Sequence, residues 1–405
     1  MRKMIIGKRL AWLFAFVYFA SYVTRINFAA VIQAVVDYTG FEKSELSVIL
    51  VCMSVSYGIG QVINGRIGDK IKPQNLIFIG LITATLSNIV MPFFSASIPT
   101  MCVLWAINGF AQSMMWPPMV KIMVSTMDEV TYGEASVIVS LGSSIGTVFV
   151  YLTAPLIITL LSWKFVLYFS AVIGILSVII WAAVKDRVYD ENSLVGVGEK
   201  SASPSKLIFP KVAILPLVFI ALAVICQGML RDGVTSWMPS LLSDTFEMGN
   251  SASILCTVSL SLFSMVAFIA AGAFYKRFFK NEVACSAVIF GIAALSALLL
   301  TLLLNTGAAT AIIFMTLITG AVHGVNLMLI GHVPKRFRKY GNISTISGII
   351  NACTYVGSAI ATYGIAKLSE LYDWQFTTAV WCIIALLGVA FSLFAMTRWK
   401  KFIEK

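Results

Sequence analysis

From Trp163 to Val184 the chain runs for 22 residues with one charged side chain, Lys164. As a helix rising ~1.5 Å per residue, such a run crosses the ~30 Å hydrocarbon layer of a bilayer. A bilayer core admits only structures that satisfy every backbone group internally, chiefly helices. Similar runs fill the sequence. Hydropathy breaks predict helices over 9–36, 45–67, 74–94, 97–123, 133–158, 163–184, 211–243, 251–275, 283–304, 308–333, 342–368 and 374–397. Twelve spans in 405 residues leave room for short connections only, which excludes a sizeable soluble domain such as a nucleotide-binding module. The composition agrees, with 59% hydrophobic and 12% charged residues.

A net charge of +11 could mean nucleic acid in a soluble protein, but here the basic residues are sorted by side. Twenty-three of the 29 lie at the termini or in alternate connections, including Arg66, Lys70, Lys185, Lys276, Arg336 and Arg398. The opposite connections hold Lys43, Lys164 and Lys367 against seven acids. Both termini are therefore expected in the cytoplasm, with the protein in the inner or plasma membrane and surrounded by lipid. The first stretch begins like a signal peptide, yet it is too long and lacks a small-residue cleavage site before Asp37, so a retained helix is expected. The seven cysteines sit in apolar stretches without a C-x-x-C pair, which points to packing rather than zinc or disulfides.

The longest polar connection divides the chain, predicting an N-terminal six-helix bundle over 1–186, a cytoplasmic linker over 187–210 and a C-terminal six-helix bundle over 211–405. The halves resemble each other at nearly constant offset. Tyr132-Gly133-x-x-Ser136 returns as Tyr340-Gly341-x-x-Ser344, Trp163-x-Phe165 as Trp374-x-Phe376, Gly65 as Gly272 and Arg25 as Arg231. Parallel repeats of this kind build transporters that hold their substrate near the midplane.

Arg25 and Arg231 fall inside spans, where an arginine costs ~2.5–3.5 kcal/mol on insertion scales and marks a functional site by default. Arg25 lies roughly 24 Å into its helix, too deep to snorkel easily. Asp232 adjoins Arg231, but neighbouring helical residues point ~100° apart, so the pair is not expected to face each other. A structural ion pair is one reading of the two arginines. The other is an anion clamp, one guanidinium from each half, since arginine binds phosphate oxygens bidentately and never titrates.

The segments Tyr18-x-x-x-Tyr22-x-x-Arg25-x-Asn27-Phe28-Ala29, Asn108-Gly109-x-x-Gln112-x-x-x-Trp116-Pro117-Pro118 and Leu230-Arg231-x-Gly233-Val234-x-x-Trp237-x-Pro239 resemble the organophosphate:phosphate antiporters of the major facilitator superfamily. The Gly65-x-x-x-Asp69-Lys70 loop is similar to a general superfamily signature. The resemblance implies an all-α membrane fold of 12 helices in two pseudo-symmetric six-helix bundles that work by alternating access. It implies Arg25 and Arg231 as phosphate ligands, with Tyr22, Tyr57 and Tyr355 as cavity hydroxyls and Trp116 nearby. Spacing adds Gln61, one helical turn from Tyr57, and His323, which the repeat matches to Gln112, with Asn326 one turn further on. Asp69 and Arg66 become gate residues. The sequence departs from the family at Ile26 and Gln61, where lysines are usual, and at Gly142, where a histidine is usual. The site has thus lost cations, and glycerol 3-phosphate itself does not follow from the resemblance.

The resulting expectation is a monomeric secondary-active transporter of a small phosphorylated organic anion, with inorganic phosphate or protons as coupling species, no nucleic-acid partner and no cofactor. Its rivals are a membrane sensor that binds such a metabolite and a proton-coupled transporter of a non-phosphate solute. An enzyme is not expected, because no Walker motif, metal cluster or catalytic triad is present. Trp116-Pro117-Pro118 predicts a kink in the fourth span, and His332, next to the basic loop, is expected at the membrane interface.

Overall fold

A computed structural model describes residues 4–41, 43–189, 210–248 and 250–404. Most of the expected linker, 190–209, lies outside the described residues. Thirteen α-helices follow in chain order among those described: α1 (Lys8–Thr39), α2 (Lys43–Lys70), α3 (Pro73–Val90), α4 (Ile98–Gln112), α5 (Trp116–Thr126), α6 (Glu129–Leu160), α7 (Trp163–Val184), α8 (Lys211–Phe246), α9 (Asn250–Phe278), α10 (Glu282–Leu303), α11 (Ala308–Asn326), α12 (Ile343–Leu371) and α13 (Trp374–Ile403). Eleven helical segments are long and apolar enough to cross a membrane, and the chain is a multi-pass membrane protein.

Helix boundaries follow local chemistry. Gly40, in the left-handed region at φ 75°, closes α1 by donating its N–H to the Val36 carbonyl. Asp128 caps α6, and hydrogen bonds from Thr131 hold its carboxyl below the usual carboxylate range. Asp373 caps α13 by accepting the Phe376 N–H at 2.7 Å.

The fourth span is broken rather than kinked. Pro117 and Pro118 supply no N–H, so the carbonyls of Ser113 and Met114 lose their helical donors. The chain tightens there instead, with Met114 N–H bonding Ala111 O and Met115 N–H bonding Gln112 O before α5 begins.

The chain divides into two compact units, Met1–Leu207 with Phe337–Ala352, and Ile208–Arg336 with Cys353–Lys405. In the first, α1 packs on α6 and α7, α2 on α4, and α3 on α4 and α7. In the second, α8 packs on α13, α9 on α11, and α10 on α11 and α13. Matching α1–α4 to α8–α11 and α7 to α13 turns each of these first-unit pairs except α1–α6 into a second-unit pair. Glycines carry the repeat to atomic detail. A side chain on Gly146 would crowd the Phe19 carbonyl, and one on Gly357 would collide with the Ile225 carbonyl. Gly146 and Gly357 are 211 residues apart, and Phe19 and Ile225 are 206 apart, the same separation as Arg25 and Arg231. Gly142 lies equally close to the Ala15 carbonyl, so no histidine fits there in this packing.

Surface chemistry is inverted relative to a soluble protein. Val48, Val51, Val55, Ile59 and Val62 form an exposed stripe along α2, and Val288, Ile292, Leu295 and Leu302 form one along α10. Polar side chains are held inside, as Asn27, Asn88, Asn108 and Gln112 are in the first unit.

Candidate functional site

In the first unit Arg25 projects from α1 over two tyrosine rings, with Cζ 4.2 Å from the Tyr57 centroid and 5.4 Å from that of Tyr22. Both distances suit cation–π attraction, worth up to ~2 kcal/mol where water is excluded. Aromatic packing continues through Tyr18, whose ring lies 5.1 Å from Tyr22 and 5.3 Å from Trp116 at the start of α5. The break in the fourth span thus places Trp116 against the arginine wall. Tyr57 is almost wholly buried, whereas Arg25, Tyr18 and Tyr22 are half-buried.

Beside this wall, at Thr24 immediately before Arg25, neutral amides fix the helix. The Thr24 carbonyl accepts hydrogen bonds from Asn88 Nδ2 at 2.8 Å and Asn108 Nδ2 at 3.0 Å. Gln112 Nε2 donates to the Thr24 hydroxyl at 3.0 Å, Ser21 Oγ donates to Gln112 Oε1, and Asn27 Nδ2 donates to Asn88 Oδ1 at 2.6 Å. Sequence reading used Asn27, Asn108 and Gln112 as family markers and missed that, with Asn88, they bind one another. Each buried amide left unpaired would cost ~1–3 kcal/mol.

In the second unit Arg231 lies 5.7 Å from the Tyr355 ring centroid, repeating the guanidinium–tyrosine arrangement. Here the expectation about Asp232 is overturned. Arg231 Nε and Nη2 donate to the two Asp232 carboxylate oxygens at 2.6 and 2.9 Å. The ~100° between neighbouring helical residues describes where their Cβ atoms point. A long arginine side chain folds back across that angle and delivers its planar fork to the carboxylate. Arg231 is therefore charge-compensated before any anion arrives.

His323 on α11 shares a hydrogen bond of 2.7 Å between Nδ1 and the Thr319 carbonyl, which makes Nδ1 the protonated nitrogen and leaves Nε2 as acceptor. Its ring meets Phe268 edge-on, and it lies near enough to Arg231 and Asp232 for both charges to act on it. Asn326 ends α11 half-buried, just before a π-helical turn over Leu327–His332. His332, on that turn, is buried with its ring 5.0 Å from that of Tyr275.

Gln61 is fully buried, and neither end of its carboxamide has a hydrogen-bond partner among the described residues. Its backbone carbonyl abuts Gly348 of α12. Asp69, on the last turn of α2, accepts the Ser344 and Thr345 backbone N–H groups at 3.0 and 2.7 Å. These amides open α12, whose N-terminal dipole favours a carboxylate by ~0.3–1 kcal/mol, up to ~2 when partly buried. Lys121 Nζ donates to the Gly68 and Asp69 carbonyls at 2.8 and 3.2 Å, which fixes the end of α2. Arg66 is exposed and makes no ion pair among the described residues.

A second charged centre escaped the sequence reading. Glu282, fully buried at the start of α10, accepts Arg336 Nε and Nη2 at 3.1 Å each, Trp399 Nε1 at 3.2 Å and the Tyr275 hydroxyl at 3.4 Å. One carboxylate ties α9, α10, α13 and the turn after α11 together. At the repeat-related position Gln74 joins the start of α3 to α7 with neutral groups, its carbonyl accepting Trp181 Nε1 at 2.9 Å. The asparagine at 281 that caps α10 was the local signal available; the distant partners carried none.

Residues 14–362 match the family profile described as Major Facilitator Superfamily. The glycerol-3-phosphate transporter of Bacillus subtilis (strain 168) is 26% identical, over 92% of this chain and 89% of its own. A probable hexose phosphate transport protein of Chlamydia muridarum is 22% identical over 94% and 88%, and the membrane sensor protein UhpC of Salmonella typhimurium 20% over 90% and 85%. Among solved structures, the Escherichia coli fucose:proton symporter FucP superposes with a TM-score of 0.73 at 16% identity, covering 95% of this chain and 97% of that one. Two units with one packing plan, an aspartate on the opening amides of α12 and a profile match across most of the sequence agree: the chain belongs to the major facilitator superfamily.

Proposed function

We propose that the protein carries a small phosphorylated organic anion across the cell membrane by alternating access, with both termini in the cytoplasm, and that Arg25 and Arg231 bind its phosphoryl group. The observation that carries this is the pair of repeat-matched intramembrane arginines, each set over tyrosine rings in its own unit. Tyrosines and guanidinium together offer planar donors and hydroxyls suited to a phosphoryl group's oxygens, and Tyr22, Tyr57 and Tyr355 are the hydroxyl ligands. The transport step is non-covalent; substrate binds the two access states unequally and shifts their populations.

Of a panel of phosphate monoesters that includes glycerol 3-phosphate and glucose 6-phosphate, at least one should raise the melting temperature of purified protein above that seen with its unphosphorylated parent. A ligand at 100 times its Kd stabilises the folded state by ~2.7 kcal/mol. Equal effects of phosphorylated and unphosphorylated compounds would remove the basis for a phosphate substrate. Proteoliposomes then separate transport from sensing. Similarity to a membrane sensor as well motivates the second reading, in which ligand binds without flux.

Asp69 belongs to the gate rather than to the substrate in this proposal, because its oxygens are already committed to α12. Asp69→Asn keeps the size but removes the charge from the helix terminus. It should change exchange rate and the balance of access states while the order of preference among phosphate esters stays that of the wild type. A reordered preference in competition assays would place Asp69 at the substrate.

A further inference from the structure

We infer that Asp232 is a proton-binding site, giving up its hold on Arg231 to the incoming anion and taking up one proton for each phosphate ester bound. This rests on the phosphate reading above and names the coupling ion for it.

Two charged pairs lie in the second unit and differ in construction. Glu282 is fully buried and held by an arginine, a tryptophan and a tyrosine, which is how a permanent structural carboxylate is secured. The Asp232 and Arg231 side chains keep 30% and 17% of their exposure, so water and solutes reach the pair. Asp232 is also absent from the repeat. The residue after Arg25 is Ile26, so one arginine of the two carries an adjoining acid.

Charge arithmetic gives the pair its task. Arg231 and Asp232 are together neutral. A phosphate monoester that binds Arg231 brings nearly two negative charges, and the carboxylate and the ester then compete for one guanidinium. In a low-dielectric bundle a carboxylate without full compensation is costly, and protonation relieves the cost. The proton comes from bulk water and bonds to the carboxylate oxygen that Arg231 releases; when the ester leaves, the proton returns to water and the ion pair closes again.

The groups around Asp232 leave few other acceptors. On α8 its neighbour is Arg231, from α12 comes Tyr355, and from α11 comes His323. Lys276 and Arg277 lie in the last turn of α9 and Lys400 and Lys401 in the last turn of α13, with Arg398 just before it and Glu404 capping that helix. Among the described residues His323 is the rival acceptor, through its Nε2.

The test uses purified full-length protein and glycerol 3-phosphate in weak buffer near pH 7.5, above the ester's second pKa of ~6. Wild type should take up about one proton per ester bound, and its affinity should fall by up to tenfold per pH unit above neutrality. Asp232→Asn, checked for a wild-type-like melting profile, should bind the ester without proton uptake and with pH-independent affinity. Proton uptake that persists in Asp232→Asn, or that disappears in His323→Gln while persisting in Asp232→Asn, overturns the assignment. Wild-type binding with no proton uptake and no pH dependence overturns it too, without any variant, and leaves the phosphate reading standing. No binding of glycerol 3-phosphate or glucose 6-phosphate by wild type sinks that reading and this inference together.

Discussion

Arg25→Lys should weaken binding of glycerol 3-phosphate by at least tenfold in protein that folds normally. Lysine keeps the charge and much of the attraction to the Tyr57 ring, which lies 4.2 Å from the arginine Cζ. It loses the planar fork that meets two phosphate oxygens at once. A lost charge-assisted hydrogen bond is worth ~1.5–3 kcal/mol, roughly 10- to 150-fold in affinity. Arg231→Lys should weaken binding as well, with part of the loss offset because the same change loosens its grip on Asp232, which competes with the ester. Calorimetric titration of each variant checks this. Wild-type affinity in both would return the arginines to a structural role and remove the phosphate group from the proposed substrate.

Glu282→Gln should be the most destabilising conservative change in the second unit. The substitution retains shape and leaves Arg336, itself largely buried, without its countercharge. Breaking a buried ion pair from one side costs ~3–5 kcal/mol, because the remaining charge stays desolvated. With ~2–4 °C per kcal/mol for a body of this size, the melting temperature should fall by roughly 6 °C or more. A shift under about 2 °C in detergent would mean that Tyr275, Trp399 and the α10 N-terminus, not the ion pair, secure this corner. Gln74→Glu offers the contrast in the first unit, where the repeat-related residue donates to the Tyr189 carbonyl and accepts Trp181 Nε1, both neutral partners.

Hydropathy located the helices because a spanning segment must be apolar along its whole length, so α7 begins and ends where the sequence says it should. The break before Trp116 was half legible. Two consecutive prolines announced a disturbance, but only the packing of α4 and α5 decided between a bend and a stop. Asp69 was singled out by the family resemblance alone; nothing in hydropathy says that a carboxylate ending α2 meets the opening amides of α12. Asp232 was misread for another reason: helical geometry gives backbone directions, and a flexible guanidinium is not bound by them. Glu282 and the Thr24 network were invisible, since an amide or carboxylate discloses its need for a partner but not which of many distant residues meets it.

The amide network at Thr24 has a further consequence. Every member, from Ser21 to Gln112, is uncharged, so neither acidity nor membrane voltage exerts a direct force on it. A potential of 100 mV does ~2.3 kcal/mol of work on each elementary charge carried across it, and nothing on a neutral amide that stays in place. The anchor beside Arg25 thus holds the same alignment in an energised cell and in a de-energised vesicle. Electrical sensitivity must enter through charges elsewhere, namely the arginines, Asp232, Asp69, the anion and the proton proposed to accompany it.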